Sequence, residues 1–184
     1  LGLLLQKIAV GDDQVRNLVV DLRYATPDNF LKRAVYPSTA RCLLRPAVAT
    51  RLARAQAFLV FHKVRIKAWD CYRPLSVQRE MWKAVPDERY VGNPRKGSNH
   101  NRGAAVDVTM VDTNGAEVTM PTPHDEFSSR AHARARRGIP EGARRNRELL
   151  RRAMLRAGFR AITTEWWHFN APDARRYSVL DTPF

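Results

Sequence analysis

Cysteine is scarce in this sequence, and its scarcity excludes two classes of small domain. Only Cys42 and Cys71 occur among the 184 residues. Disulfide-rich scaffolds and cysteine-based metal sites both need more cysteines, at short and repeated spacings. The chain therefore belongs to neither class.

Long apolar runs are also missing. A membrane-spanning helix needs about 20 consecutive apolar residues, and no stretch approaches that length. The first ten residues, LGLLLQKIAV, carry a short apolar patch without Met, which we interpret as a processed or trimmed end. The patch is too short for an intact signal peptide, and we expect no transmembrane segment.

Acidic residues are few, with 18 against 32 basic ones and a net charge of +14. Residues 130–160 alone contain eleven arginines and two glutamates. Two interpretations stay open, a solvated basic helix face and a docking surface for an anionic partner such as nucleic acid, phospholipid or cell-wall polymer. No zinc-finger spacing or aromatic-basic RNA-binding motif is present, so we expect no specific nucleic-acid partner.

The rest of the composition is that of a globular protein. An apolar content of 44% and a charged content of 27% are ordinary, and we find no repeat, low-complexity segment or linker. We predict one domain over residues 1–184, with residues 1–17 as an N-terminal extension of uncertain role. The pattern does not reveal the oligomeric state.

Hydrophobic periodicity predicts helices and strands in alternation. Val48, Leu52, Ala55 and Leu59 recur at helical spacing after Pro46, a good first helical residue. The predicted elements are helices over 47–61, 75–85 and 146–159, strands from 18 and over 63–70, and a hairpin turning at Asn114-Gly115. This mixture indicates an α+β fold, with a central, mainly antiparallel sheet flanked by helices.

Four residues are candidates for binding a metal ion: His100, Asp107, Glu165 and His168. Asp107 lies on the strand face opposite Val106, so it is free to face either water or a cleft. Two His and one carboxylate form a typical catalytic zinc set that leaves the fourth position for water. Glu165 is then left to act as a base. The other histidines, His62, His124 and His132, are interpreted as surface or core residues.

Several motifs together resemble the zinc D-Ala-D-Ala dipeptidases, the VanX type within the wider D,D-carboxypeptidase superfamily. The resemblance rests on SNHNRGAAVD followed by EWWH, and extends through DLRYATPDNF, WDCYRP, HDEF and NRELLRRAMLRAGF in the family's order. It covers the chain from about residue 18 to the end.

The resemblance implies one zinc ion per chain and a role for each matching residue. His100, Asp107 and His168 match the zinc ligands, Glu165 matches the catalytic base, and Arg73 matches the arginine that stabilises the transition state. The positions that contact the small D,D-dipeptide are matched by Tyr24, Ser98 and Asp125, with Asp125 near the substrate ammonium. Asn99 stands where the vancomycin-resistance enzymes carry a second Ser. This difference affects the hydrogen bonds to the substrate carboxylate.

The residue chemistry agrees with hydrolysis by a metal-activated water. Glu165 would take the proton of the water and deliver it to the leaving amine, while Arg73 meets the oxyanion. We expect Trp166 and Trp167 to hold Glu165 and His168 in place and keep the site dry. Plain core residues are the alternative for these tryptophans.

Two other functions remain as alternatives. A D,D- or L,D-carboxypeptidase that trims longer peptidoglycan peptides would share the metal site, but Asp125 and Tyr24 favour a substrate with a free ammonium. A non-catalytic basic binding module with structural zinc would need neither Glu165 nor Arg73.

The two cysteines bear on the compartment. Cys42 lies in a predicted strand and Cys71 ends another, so adjacent strands would allow a disulfide, which indicates a periplasmic or exported protein. Two buried free thiols, as in a cytoplasmic protein, are the alternative.

Overall fold

The computed structural model of the protein describes residues 6–8, 15 and 17–184. The predicted extension over residues 1–17 therefore lies mostly outside the described residues. The described chain forms helices α1 (Pro46–Phe61), α2 (Leu75–Ala84) and α3 (Glu141–Arg156) and strands β1 (Gln6–Ile8), β2 (Val19–Val20), β3 (Cys42–Leu44), β4 (Val64–Asp70), β5 (Ala105–Asp112), β6 (Arg160–Ala161) and β7 (His168–Asn170).

Five strands form the main sheet in the order β2-β4-β5-β7-β6. The β2–β4 pair is parallel, and the other three pairs are antiparallel. A separate two-stranded antiparallel sheet joins β1 to β3. The predicted α+β class with a mainly antiparallel sheet is confirmed. In the part of the chain that the structure describes, no helix has the length and apolar character needed to cross a bilayer.

The spacing of apolar residues in the sequence predicts the positions of α1 and β4 correctly. Pro46 opens α1, and its predicted face is completely buried. The helix packs on β4, where the buried Gln56 carboxamide oxygen accepts a hydrogen bond from the Ile66 backbone N–H at 2.7 Å. This bond ties the helix to the strand that leads into the WDCYRP motif.

Helix α3 begins earlier than the periodicity predicts. It starts at Glu141, directly after Pro140, which occupies the N-cap position where its missing N–H is no loss. Gly158 follows the helix with φ of 89°, a left-handed conformation that ends a helix most easily at glycine. The helix therefore ends at Arg156, three residues before the predicted end at 159.

The predicted hairpin at Asn114-Gly115 forms only in part. The chain reverses there, with the Ala116 carbonyl accepting from the Asp112 N–H at 2.8 Å. The returning segment then pairs with β5 through an isolated bridge between Val111 and Glu117. Prolines at 121 and 123 have no N–H to extend this pairing, so no regular second strand follows.

Strand β5 is the centre of the sheet, and this position decides where Asp107 points. Residues 105–111 are all buried, because β4 and β7 flank the strand and both of its faces are covered. Asp107 is only 3% exposed and stands opposite His168 on β7. The face that carries Asp107 therefore does not meet bulk water.

Cys42 and Cys71 are joined by a disulfide with a Cα–Cα distance of 5.2 Å. Their strands are not ladder neighbours, since β3 pairs with β1. The approach occurs just beyond the end of β4, where the Tyr72 N–H donates to the Leu43 carbonyl at 3.0 Å. The bond therefore ties the segment leading into Arg73 to β3.

Thiol titration of the denatured, unreduced protein should find no free thiol, and two after reduction. A Cys42→Ser, Cys71→Ser double variant should lose roughly 3 kcal/mol of stability in chemical denaturation, as expected for a closed loop of about 30 residues. Two reactive thiols before reduction would contradict the disulfide.

Candidate metal centre and catalytic pocket

Three side chains converge at the middle of the main sheet. His100 comes from a short 3-10 helix (His100–Arg102), Asp107 from β5 and His168 from β7. The facing atoms are His100 Nε2, His168 Nδ1 and Asp107 Oδ1. The two imidazole nitrogens are 3.1 Å apart, and they lie 3.3 and 3.0 Å, respectively, from the carboxylate oxygen.

The outer nitrogen of each imidazole already has a hydrogen-bond acceptor. His100 Nδ1 donates to the Cys71 carbonyl at 2.7 Å, and His168 Nε2 donates to Asn170 Oδ1 at 2.9 Å. In the neutral imidazole the other nitrogen is then a bare acceptor. When both imidazoles are neutral, two nitrogen lone pairs and a carboxylate oxygen therefore face one another, an arrangement that a bound cation would stabilise.

The spacing of the three atoms fits a tetrahedral cation. An ion bonded to nitrogen and oxygen at about 2.0–2.1 Å needs neighbouring ligand atoms roughly 3.3 Å apart. The observed edges lie close to that length. His100, Asp107 and His168 can therefore hold one metal ion and leave a fourth position open.

The charge of Asp107 suits this role. Burial favours the neutral acid, but the histidines that face it, His100 first among them, hold the pKa of Asp107 well below its ordinary value. The carboxylate therefore stays ionised, as a metal ligand must.

Glu165 lies beside this cluster. Its Oε2 is 3.8 Å from His168 Nδ1, and its side chain is 16% exposed. Burial, with a smaller contribution from Asp107, raises the pKa of Glu165 to about 7, although a bound cation would lower it again. The position of this carboxyl group beside the three ligand side chains allows it to accept and return a proton there.

Arg73 is held in a fixed orientation at the edge of the pocket. Its Nε and Nη2 both donate to Asp70 Oδ2, at 3.0 and 2.6 Å, and its Nη1 donates to Gln78 Oε1 at 2.8 Å. Among the described residues, these bonds leave one N–H on each terminal nitrogen for another acceptor. Nη2 is 4.0 Å from Asp107 Oδ2, which places the guanidinium next to the metal ligands.

A second carboxylate occupies the other side of the pocket. Asp125 has a left-handed backbone, with φ of 58°, and its Oδ2 accepts from the Tyr24 hydroxyl at 3.0 Å. Burial raises the pKa of Asp125. Its nearest basic neighbour is His124, whose Nε2 is 3.5 Å from Asp125 Oδ1 and 3.5 Å from Asp107 Oδ2. This carboxylate is well placed for a small cationic group.

One cavity of about 660 Å³ contains the whole predicted site. Its volume lies in the usual range for small-molecule pockets. The Ser98 hydroxyl accepts from the His100 N–H at 3.2 Å, so Ser98 supports a ligand as well as lining the cavity. All the residues predicted as ligands, base, arginine and substrate contacts line it: Tyr24, Arg73, Ser98, His100, Asp107, Asp125, Glu165 and His168.

The two adjacent tryptophans are buried next to the site. Trp166 and Trp167 are at most 2% exposed, and their rings meet edge to face at 5.4 Å. Trp167 lines the cavity, while the Trp166 indole donates to Thr122 Oγ1 at 2.9 Å. Trp167 therefore forms part of the cavity wall near Glu165 and His168, and Trp166 packs against Trp167.

Sequence reasoning missed several residues of the site. His124 was grouped with the surface and core histidines, but its side chain is 95% buried between two site carboxylates. Asp70 and Asn170 were not singled out either. An acid three residues before Arg73 and a polar residue two after His168 were the available signals. His62, in contrast, packs on the Phe58 ring at the end of α1.

Comparison with known proteins finds one family that matches nearly the whole chain. The peptidase M15 family model, described as D-Ala-D-Ala dipeptidase, matches residues 7–184. The D-alanyl-D-alanine dipeptidase of Escherichia coli is 39% identical over 168 residues, covering 91% of this chain and 86% of the relative. The enzymes of the same name from Enterococcus faecalis and Enterococcus faecium are 30% and 32% identical, over 94% and 86% of this chain and 91% and 88% of their own.

Proposed function

The chain belongs to the D-Ala-D-Ala dipeptidase family of metallopeptidases, and we propose that it hydrolyses D-Ala-D-Ala to two molecules of D-alanine at a single zinc ion. One observation carries the proposal. His100 Nε2, His168 Nδ1 and an Asp107 carboxylate oxygen lie within 3.0–3.3 Å of one another, beside a buried carboxyl group and an anchored arginine. The three atoms would bind a cation, and the neighbouring carboxyl group and arginine would act on a substrate next to that cation.

Zinc is the metal that this donor set favours. Two imidazoles and one carboxylate in tetrahedral geometry, with one open position, are typical of catalytic zinc sites. When bound, zinc lowers the pKa of a coordinated water towards about 7 and polarises a carbonyl oxygen.

The chain's own side chains carry the remaining chemistry. Glu165 accepts the proton of the attacking water and later delivers it to the leaving amine. Arg73 turns its two unpaired N–H groups towards the oxyanion that develops on the scissile carbonyl. Because Asp70 and Gln78 hold the guanidinium in place, little reorganisation is needed when that charge appears.

The dipeptide would be oriented by the groups around the rest of the cavity. The Asp125 carboxylate, held by the Tyr24 hydroxyl, pairs with the substrate ammonium. Ser98 lies beside His100, where we place the substrate carboxylate. A free ammonium at a nearly buried carboxylate restricts the enzyme to short substrates, which favours a dipeptidase over a carboxypeptidase that trims longer wall peptides.

Zinc-loaded protein should therefore cleave D-Ala-D-Ala, leave L-Ala-L-Ala nearly untouched and act poorly on a muramyl pentapeptide. Released alanine, measured for the three substrates at equal concentration, tests this. Faster cleavage of the pentapeptide would assign the enzyme to the carboxypeptidases. No cleavage of any of the three, with zinc bound, would favour a binding module.

Arg73→Lys should lower kcat on the order of 10²-fold, the scale of one lost oxyanion donor, while KM changes only a few-fold. Lysine keeps the charge but loses the planar fork of donors. Steady-state kinetics measure both constants, and Arg79→Lys, on the exposed face of α2, is the matched control. A change confined to KM would mean that Arg73 only binds the substrate.

Asp125→Asn should raise KM for D-Ala-D-Ala roughly 10- to 100-fold, because a hydrogen bond to a charged group contributes about 1.5–3 kcal/mol. N-acetyl-D-Ala-D-Ala has no ammonium, so any hydrolysis of it should change little. Equal losses on both substrates would assign Asp125 a structural role.

We further propose that the protein works in the periplasm or outside the cell. The internal disulfide between Cys42 and Cys71 supports this compartment, because such bonds persist in oxidising environments. Scavenging of wall fragments would fit that location.

The arginine-rich segment supports weak association with an anionic cell-envelope polymer. Eight of its eleven arginines are exposed: Arg130, Arg134, Arg136, Arg137, Arg145, Arg152, Arg156 and Arg160. Association of this kind weakens with salt. Co-sedimentation with a phosphodiester wall polymer at low and high salt tests it, and absence of binding at low salt would remove the proposal.

A further inference from the structure

Two asparagines connect the chain segments that carry the two histidine ligands. Asn99 directly precedes His100, and Asn170 lies two residues after His168 at the end of β7. The Asn99 carboxamide Nδ2 donates to Asn170 Oδ1 at 2.8 Å. The same oxygen accepts from His168 Nε2 at 2.9 Å. One carboxamide oxygen thus receives two donors, one of which is a metal-ligand candidate.

We propose that Asn99 and Asn170 are positioning residues of the metal centre. In this arrangement Asn99 holds the Asn170 carboxamide, and Asn170 in turn holds the His168 ring with Nδ1 facing the cation. The inference rests on the proposed metal site. It gives Asn99 a different task from the substrate-carboxylate contact suggested by its place in the motif.

The chemistry of a carboxamide explains why the orientation matters. Turned by 180°, Asn170 would present an N–H₂ group to His168 Nε2, and that nitrogen would have to become the acceptor. The proton of a neutral imidazole would then sit on Nδ1, where it blocks metal coordination. A donor from Asn99 on the Asn170 oxygen opposes this rotation, since the rotated group would lose the bond from Asn99.

The backbone holds Asn99 where this bond requires it. Its carbonyl accepts from the N–H groups of Arg102 and Ala104, at 3.1 and 3.0 Å. The left-handed Gly103, with φ of 63°, closes this turn. The same tight turn that positions His100 therefore places the Asn99 side chain next to Asn170.

Zinc affinity is the quantity that this role predicts will change. Partners of metal-bound histidines typically contribute 10- to 100-fold to metal affinity, so Asn170→Ala should weaken zinc binding on that scale. Asn99→Ala should weaken it in the same direction by a smaller factor. The double variant should bind zinc about as weakly as Asn170→Ala alone, because Asn99 acts through Asn170.

Competition with a chromophoric chelator measures zinc affinity without substrate, so the result stands apart from the identity of the substrate. Asn170→Asp keeps an acceptor for both donors and should restore zinc binding towards the wild-type value. Asn114→Ala, in the exposed turn after β5, is the matched control. At saturating zinc, KM for D-Ala-D-Ala should be unchanged in Asn99→Ala.

Three results would overturn the inference. Unchanged zinc affinity in Asn99→Ala together with a raised KM would return Asn99 to the substrate carboxylate. Independent, additive losses in the double variant would show that Asn99 does not act through Asn170. Failure of Asn170→Asp to bind zinc better than Asn170→Ala would show that the acceptor oxygen is not what matters.

Discussion

Glu165→Gln should abolish turnover while the metal stays bound. The amide has nearly the same shape as the carboxyl group but cannot take the proton of the attacking water. Loss of a general base costs at least about 10²-fold in rate. Because Glu165 is not one of the three residues that supply ligand atoms, the metal content should remain stoichiometric.

Steady-state kcat at saturating zinc and metal analysis of the same preparation check both halves of this expectation. Glu148→Gln, on the exposed face of α3, is a matched control that should behave as wild type. A Glu165→Gln enzyme within tenfold of the wild-type kcat would show that another group accepts the proton. Loss of metal would instead make Glu165 a ligand.

His168→Ala and Asp107→Ala should both release the metal and reduce hydrolysis to background. Each removes one of three protein donors, and the two that remain cannot complete a catalytic site. Asp107→Ala additionally removes the charge that offsets the positive ion inside the sheet. These two variants and Glu165→Gln thus separate metal binding from proton transfer.

Metal analysis after extensive dialysis is the decisive measurement for the ligand variants. His62→Ala, at the end of α1 and away from the cavity, provides a histidine control that should keep the metal. Stoichiometric metal in both ligand variants would mean that the proposed ligand set is wrong. Retention in only one would point to a replacement donor, for which His124, 3.5 Å from Asp107, is the nearest candidate.

Local chemistry and local periodicity were readable from the sequence alone. The helical spacing of Val48, Leu52, Ala55 and Leu59 predicts α1 because a buried helix face repeats every 3.6 residues. Likewise, His100, Asp107 and His168 are identifiable because few residue types donate lone pairs to a metal. The family motifs then place these residues in one site, and the cavity contains all of them.

Tertiary structure decided which way Asp107 points and which partners the ligands have. Alternation along β5 separates its two faces but does not reveal that residues 105–111 are buried on both of them. The Cys71 carbonyl that accepts from His100 comes from a distant segment, as does the Asn99 carboxamide that holds the Asn170 acceptor of His168.

There is a physical reason why the sequence predicts the elements but not the partners of the buried side chains. Side-chain chemistry and hydrophobic period are properties of neighbours along the chain, so the sequence by itself determined the elements and the metal-binding residue types. The hydrogen-bond partners of buried groups depend on which strands are neighbours in the sheet and on where each strand ends. Only folding brings His124 between Asp107 and Asp125, and Asn99 against Asn170.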